Sequence, residues 1–193
     1  MLFSSTVFIL LFLPITVAIY YLFLAKTKKA KNVFLLLMSI IFYAWGEPTF
    51  VFIMILSIFA NWIFGLLIDK YRNDKIKTRI ILITTLIFNL GILGCFKYAN
   101  FFMQNVNTIF NTNISNFDIK LPIGISFFTF QAISYVLDVY NKDTKVQKNI
   151  LNMGLYISFF PQLIAGPIVR YKTIAQQIEN RTENFNNFSV RNS

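Results

Sequence analysis

The chain has 193 residues, a formal net charge of +10 and 56% hydrophobic residues, with 18% aromatic and only 13% charged. A soluble domain carries about 25% charged residues, and one this apolar would expose patches that aggregate. The same hydrophobicity excludes a disordered chain, which leaves a membrane protein. Histidine is absent and Cys95 is the one cysteine. That excludes a Ser/His/Asp triad, a Cys/His pair, a disulfide framework and a zinc site built from His and Cys. No bound metal or resident cofactor is expected. The positive charge falls in short runs between long apolar stretches, at Lys26, Lys28, Lys29 and Lys31, from Lys70 to Arg79, and at Lys142, Lys145 and Lys148. Loops between membrane spans have this pattern, and no nucleic-acid partner is expected.

In chain order, Phe3 to Leu24 is uncharged, and its roughly 22 residues are enough to cross a hydrocarbon core. It lacks the basic start and small-residue end of a signal peptide, so it reads as a retained span, kinked at Pro14. Val33 to Trp45 is a short second span of about 13 residues, with Lys31 snorkelling at one end. Gly46-Glu47-Pro48 makes a tight turn, Thr49 to Ile68 is the third run, and Asp69 to Arg79 is a basic loop. Ile80 to Phe96 is the fourth run, closed by Lys97-Tyr98-Ala99-Asn100. Residues 103–120 are Asn-rich and read as the longest loop, in part helical. Leu121 to Tyr140 is the fifth run.

Ile150 to Val169 is a sixth apolar run, interrupted by Pro161 and by Gly166-Pro167. Broken backbone at membrane depth is tolerated only where protein or a water-filled cavity satisfies the freed amides. The run is therefore expected to be a broken or re-entrant segment. From Arg170 the chain turns polar, with Ile174 and Ile178 at helical spacing and an Asn-rich end. The fold class is thus all-α integral membrane, with about five transmembrane helices plus the broken segment. Residues 1–169 form the membrane part and 170–193 a polar cytoplasmic helix and tail. Alternation puts all three basic clusters on one side, and positive charge favours the cytoplasm. Met1 is then outside, in a bacterial cell membrane.

Beyond composition, ordered motifs run along nearly the whole chain. They are Met1-Leu2-Phe3-Ser4-Ser5 with Phe12-Leu13-Pro14; Ser39-Ile40-Ile41-Phe42-Tyr43-Ala44-Trp45; Asn61-Trp62-Ile63-Phe64-Gly65; Phe96-Lys97-Tyr98-Ala99-Asn100-Phe101; Leu121-Pro122-Ile123-Gly124 through Gln131; Tyr135-Val136-Leu137-Asp138-Val139-Tyr140; and Phe160-Pro161-Gln162 through Arg170. Together they resemble the membrane-bound O-acyltransferase (MBOAT) family, in its bacterial alginate O-acetyltransferase branch.

The resemblance implies a helical membrane fold with a thinned centre crossed by a tunnel. It implies transfer of an acetyl group from a cytoplasmic donor, acetyl-CoA or another acyl donor, to hydroxyls of an exported, alginate-like polysaccharide. Implied partners are membrane lipid, the remaining C-terminal half of the enzyme and extracytoplasmic polysaccharide-modifying proteins. The family's catalytic histidine lies in a later stretch, and its members run to more than twice this length. The chain therefore reads as an N-terminal fragment, inactive alone. A sibling branch that transfers D-alanine to teichoic acid is one alternative. A transport or structural module without chemistry is another, since broken spans also occur in transporters, although the chain shows no internal repeat.

Six residues are candidate tunnel or donor-site groups, each with a bland alternative. Asp138 is either a functional intramembrane carboxylate or a solvated interface group near Lys142. Gln131, like Ser126, lines a polar tunnel or bonds between helices. Lys97 and Asn100 belong to a site or anchor the membrane interface. Arg170 meets the phosphates of a CoA-type donor or lipid headgroups. Asn61 is a ligand or interhelical glue. Cys95 reads as a small buried hydrophobe, and Glu179 with Glu183 as a solvated helical face.

Overall fold

The computed structural model describes residues 5–22, 27–110, 121–165 and 169–181, and among these every regular element is helical. A π-helical turn, Phe8–Phe12, leads into α1 (Leu13–Leu22). Then come α2 (Lys28–Gly46), α3 (Val51–Lys70), α4 (Lys75–Lys97), α5 (Ala99–Phe110), α6 (Ile125–Tyr140), α7 (Ile150–Ser158), α8 (Phe160–Ala165) and α9 (Tyr171–Asn180). Two of them, α3 and α4, are long and apolar enough to cross a membrane, while Phe8–Leu22 and α6 are apolar but shorter.

The boundaries differ from the sequence reading where polar residues join helices. α2 begins at Lys28 and takes in Lys31, which is buried over the Tyr20 and Tyr21 rings rather than snorkelling outward. Lysine is a good helix former, so a basic cluster does not have to be a loop. The basic loop at 69–79 shrinks to a turn because the Asp74 carboxylate caps α4, accepting from the Ile76 and Lys77 amides, both at 3.1 Å. The stretch from 103, read as a partly helical loop, is helical to Phe110 as part of α5, while residues 111–120 lie outside the described ones. Cys95 is exposed on α4, not buried, because it lies on the outward face of a helix whose buried residues are Thr78, Thr85, Asn89 and Leu93.

Capping and a salt bridge to Lys77 at 3.1 Å hold Asp74 ionised. The Lys77 amide, then its ammonium, lower the carboxyl below its ordinary value. A depressed folded-state value means the contribution is complete at neutral pH and is lost as the pH falls through that lowered value. Asp74→Ala is expected to speed hydrogen exchange at the Ile76 and Lys77 amides at pH 7. At pH 2 the difference from the parent is expected to shrink.

The core is organised around α6. Phe128, Ala132, Tyr135, Val136 and Val139 are fully covered, packed by Met54 and Ile58 of α3, Leu93 of α4 and Met153 and Ile157 of α7. A second cluster joins Phe8, Phe42 and Phe160, with the Phe8 ring 5.4 Å from Phe42 and 6.1 Å from Phe160. It ties the N-terminal turn to α2 and α8. Phe52, Leu56 and Phe59 of α3 and Ile80, Ile87 and Leu90 of α4 face outward, a surface suited to lipid and unsuited to water.

The sixth apolar run breaks at Phe159, whose ψ of 110° is not helical. Pro161 then falls in the first turn of α8, where its missing N–H costs nothing. The Phe160 amide exposed by the break donates to Ser39 Oγ at 3.3 Å. Gly166-Pro167 lies outside the described residues. Leading into α6, Gly124 has a φ of +79°, and a Cβ there would sit 3.2 Å from the Leu163 carbonyl oxygen. The turn therefore needs both the left-handed backbone and the missing side chain of glycine.

Hydrogen bonds bring the basic clusters to one end of the bundle. Tyr135 near the end of α6 lies against Gly65 near the end of α3 and accepts from the Gln147 amide. Asn32 at the start of α2 donates to Asn152 at the start of α7. Lys97 and Asn100 lie at the other end, about 30 Å away along α4.

Candidate functional site

Polar side chains inside an apolar bundle need partners, because an unmet buried group costs about 1–3 kcal/mol. Their positions divide the candidates into three groups. Asn61, fully buried, pairs reciprocally with Asn89. Each amide donates to the other's Oδ1, at 3.0 and 2.8 Å, and to a carbonyl one turn back in its own helix, Ser57 or Thr85. Both amides are occupied in joining α3 to α4. Asn61→Leu is expected to cost about 1–2 kcal/mol by stranding Asn89, and Asn61→Leu with Asn89→Leu together to cost less than either alone. Denaturation in mixed micelles would measure both.

Lys97 is exposed, with its ammonium 5.5 Å from the Tyr98 ring, the geometry of an interface anchor. The buried Asn100 Oδ1 has no partner among the described residues.

The third group converges near the basic end. Three tyrosines pack edge to face, with the Tyr171 ring 5.0 Å from Tyr135 and 5.1 Å from Tyr156. The Gln147 amide group donates to Tyr171 Oη at 2.9 Å, and its Oε1 accepts from the Asn149 amide. Asp138, in the last turn of α6, is 3% exposed rather than solvated. Its Oδ2 accepts from the Lys172 amide at 3.3 Å in the first turn of α9, where a helix end favours negative charge. Burial follows from that docking, since α9 lies across the carboxylate. Arg170 caps the start of α9 and is exposed.

Deeper, Gln131 donates to Gln162 Oε1 at 3.4 Å, and its own Oε1 is buried without a partner among the described residues. The Tyr156 hydroxyl faces the backbone carbonyls of Gln131, at 3.3 Å, and Val169, at 3.0 Å. Tyr156 and Gln162 also line a groove of about 350 Å³ between α1, α7, α8 and α9. Its other walls include Leu13, Val17, Leu155 and Phe159, and Arg181 lies at its rim. A volume in the range of ordinary ligand sites, mostly apolar with few polar groups, suits a small or chain-like ligand. No group of three or more metal-ligating side chains occurs among the described residues.

Sequence reasoning missed Asn89, Gln147, Gln162 and the tyrosine triad. Asn89 was legible as the one amide inside the fourth run. Tyrosines in an aromatic-rich chain carry no such signal. The Glu179 side chain and Glu183 lie outside the described residues.

No family model matches the chain, and no solved structure does. Curated relatives do. A probable alginate O-acetylase AlgI of Pseudomonas aeruginosa is 39% identical over 98% of this chain and 36% of its own length. The protein of that name from Pseudomonas syringae pv. tomato is 38% identical over 98% of the chain and 37% of its own length. A peptidoglycan O-acetyltransferase of Helicobacter pylori is 31% identical over 97% of the chain and 40% of its own length. The chain spans less than half the length of these relatives.

Proposed function

We propose, from the premise that the chain belongs to the membrane-bound O-acyltransferase family, that it supplies part of the membrane-embedded body of an O-acetyltransferase acting on an exported polysaccharide. The observation that carries this reading is continuous similarity to alginate O-acetylases along 98% of the chain. The outward apolar faces of α3 and α4 support a membrane location.

In this proposal Phe8–Leu22, α2, α3, α4 and α6 cross the membrane as five spans, and α7 with α8 forms a broken, re-entrant element. The basic end of the bundle faces the cytoplasm and Met1 lies outside. The acyl donor, acetyl-CoA or another activated acetyl compound, approaches from the basic end, where Arg170 is exposed for its phosphates. Gln131, Gln162 and Tyr156 form the polar lining along which the acetyl group passes. Extracytoplasmic polysaccharide-modifying proteins take it onward. An alginate-like glycan is the acceptor we favour, and the Helicobacter pylori relative supports a second reading in which peptidoglycan is acetylated.

The test is acetyl transfer from a radiolabelled donor in membranes of cells with and without the protein. Label in the exported glycan that disappears on deletion is the expected result, and digestion by a glycan-specific lyase or by lysozyme separates the two acceptors. Unchanged label in both fractions would overturn the proposal. Expressed without any other chain, these 193 residues carry no histidine to serve as general base, and no transfer is expected from them.

A further inference from the structure

Charge at the basic end of the bundle does not balance. Each carboxylate described there already has a partner. Asp69 pairs with Arg72 at 2.9 Å, Asp74 with Lys77 at 3.1 Å and Asp143 with Lys172 at 3.5 Å, while Asp138 accepts the Lys172 amide. The connection between α6 and α7, residues 141–149, carries three further cations, Lys142, Lys145 and Lys148. All three are exposed, and none has an ion pair among the described residues. The backbone that carries them is tied to the bundle. The Asp143 and Thr144 amides donate to the Asp138 carbonyl at 2.9 and 3.3 Å, and the Gln147 amide donates to Tyr135 Oη at 3.2 Å. The buried Gln147 side chain bonds both Tyr171 Oη and the Asn149 amide. A connection already fixed in this way loses little freedom on meeting an anion. It joins two apolar helices at one end of the bundle, the level at which a membrane-embedded bundle meets headgroups. Fixed positive charge there, with no counter-charge in the described protein, is complementary to anionic lipid, and each basic residue near such a surface adds to the attraction.

We infer that the 141–149 connection is a contact surface for anionic phospholipid headgroups, with Lys142, Lys145 and Lys148 meeting their phosphates and fixing the depth at which α6 and α7 sit. The inference rests on the membrane placement proposed above and not on acetyl transfer.

The test uses the protein at its cellular length, extracted from membranes in a mild detergent and titrated with phosphatidylglycerol or phosphatidylcholine under native mass spectrometry. Parent protein is expected to retain phosphatidylglycerol preferentially. Lys145→Gln and Lys148→Gln are each expected to reduce that preference about fivefold, the effect of one basic residue near an anionic surface. Lys142 has a φ of 64°, a backbone region that glycine takes without strain. Lys142→Gly is therefore expected to fold at least as well as the parent and still to lose about fivefold in preference, which separates charge from stability. Asp143→Asn releases the Lys172 ammonium and leaves the backbone bond to Asp138 in place. It is expected to raise the preference by a similar factor. Phosphatidylglycerol with a photoreactive headgroup is expected to label peptides of residues 141–149. Equal retention of the two lipids by membrane-extracted parent protein would overturn the inference alone, as would a preference that none of the four variants moves. Crosslinking that shows a protein segment over the connection would also overturn it. Recovery of the protein in the soluble fraction would overturn the membrane placement and the inference together.

Discussion

Gly65→Ala is expected to destabilise the bundle by about 2–3 kcal/mol, an overpacking cost at the upper end of the usual range. A Cβ at this position would lie 2.5 Å from Tyr135 Oη, 2.7 Å from Cε1 and 2.9 Å from Cζ. The ring cannot swing aside. Tyr135 is fully buried, its hydroxyl accepts from the Gln147 amide at 3.2 Å, and its ring packs on Tyr171. Displacing it disturbs α3, α6, α9 and the 141–149 connection together. Gly91→Ala is the matched control, because a Cβ there meets nothing within 4 Å. Alanine is the better helix former by about 1 kcal/mol, so Gly91→Ala is expected to be neutral or stabilising. Melting of the two variants in the same detergent would separate a packing effect from a glycine effect. Equal behaviour would show that Tyr135 has another place to go.

That contrast also shows what the sequence could and could not convey. The apolar runs were long enough to locate α1, α2, α3, α4, α6 and the broken α7–α8 element, because burial in lipid or protein demands them. The break was legible from Pro161, although the chain turns at Phe159, two residues earlier. Helix ends were less legible. Asp74 starts α4 by accepting two amides, and Lys28–Lys31 extend α2, yet both stretches look like loops in a hydropathy pattern. The role of Gly65 was not legible at all, because nothing local distinguishes it from Gly91. Its meaning comes from a tyrosine 70 positions away.

The candidate site divides along the same line. Buried amides and carboxylates were picked out because they are costly in an apolar setting. Whether each was occupied by structure or left for chemistry depended on partners in other helices. Asn61 pairs with Asn89, and Asp138 accepts from the start of α9. Gln131 retains an unpartnered Oε1 among the described residues and Arg170 remains exposed.

Asp138 offers the sharpest separation of a docking role from a chemical one. Its carboxylate accepts the Lys172 amide, while its own carbonyl accepts from Asp143 and Thr144. The carbonyl bonds need no side chain and survive any substitution. Asp138→Ala removes the acceptor of the Lys172 amide and leaves a small void. It is expected to cost about 1–3 kcal/mol and to speed hydrogen exchange through the first turn of α9. Asp138→Asn keeps an acceptor oxygen at the same position. In the protein at its cellular length, if the carboxylate serves to dock α9, the asparagine variant retains stability and most acetyl transfer, because an amide oxygen replaces a carboxylate oxygen in one hydrogen bond. If it serves as a base, the asparagine variant folds normally but loses transfer by about two orders of magnitude or more, since an amide cannot take a proton. The first result is expected. The α9 helix already occupies the carboxylate, and a group used to hold a helix in place has little freedom to approach a substrate hydroxyl.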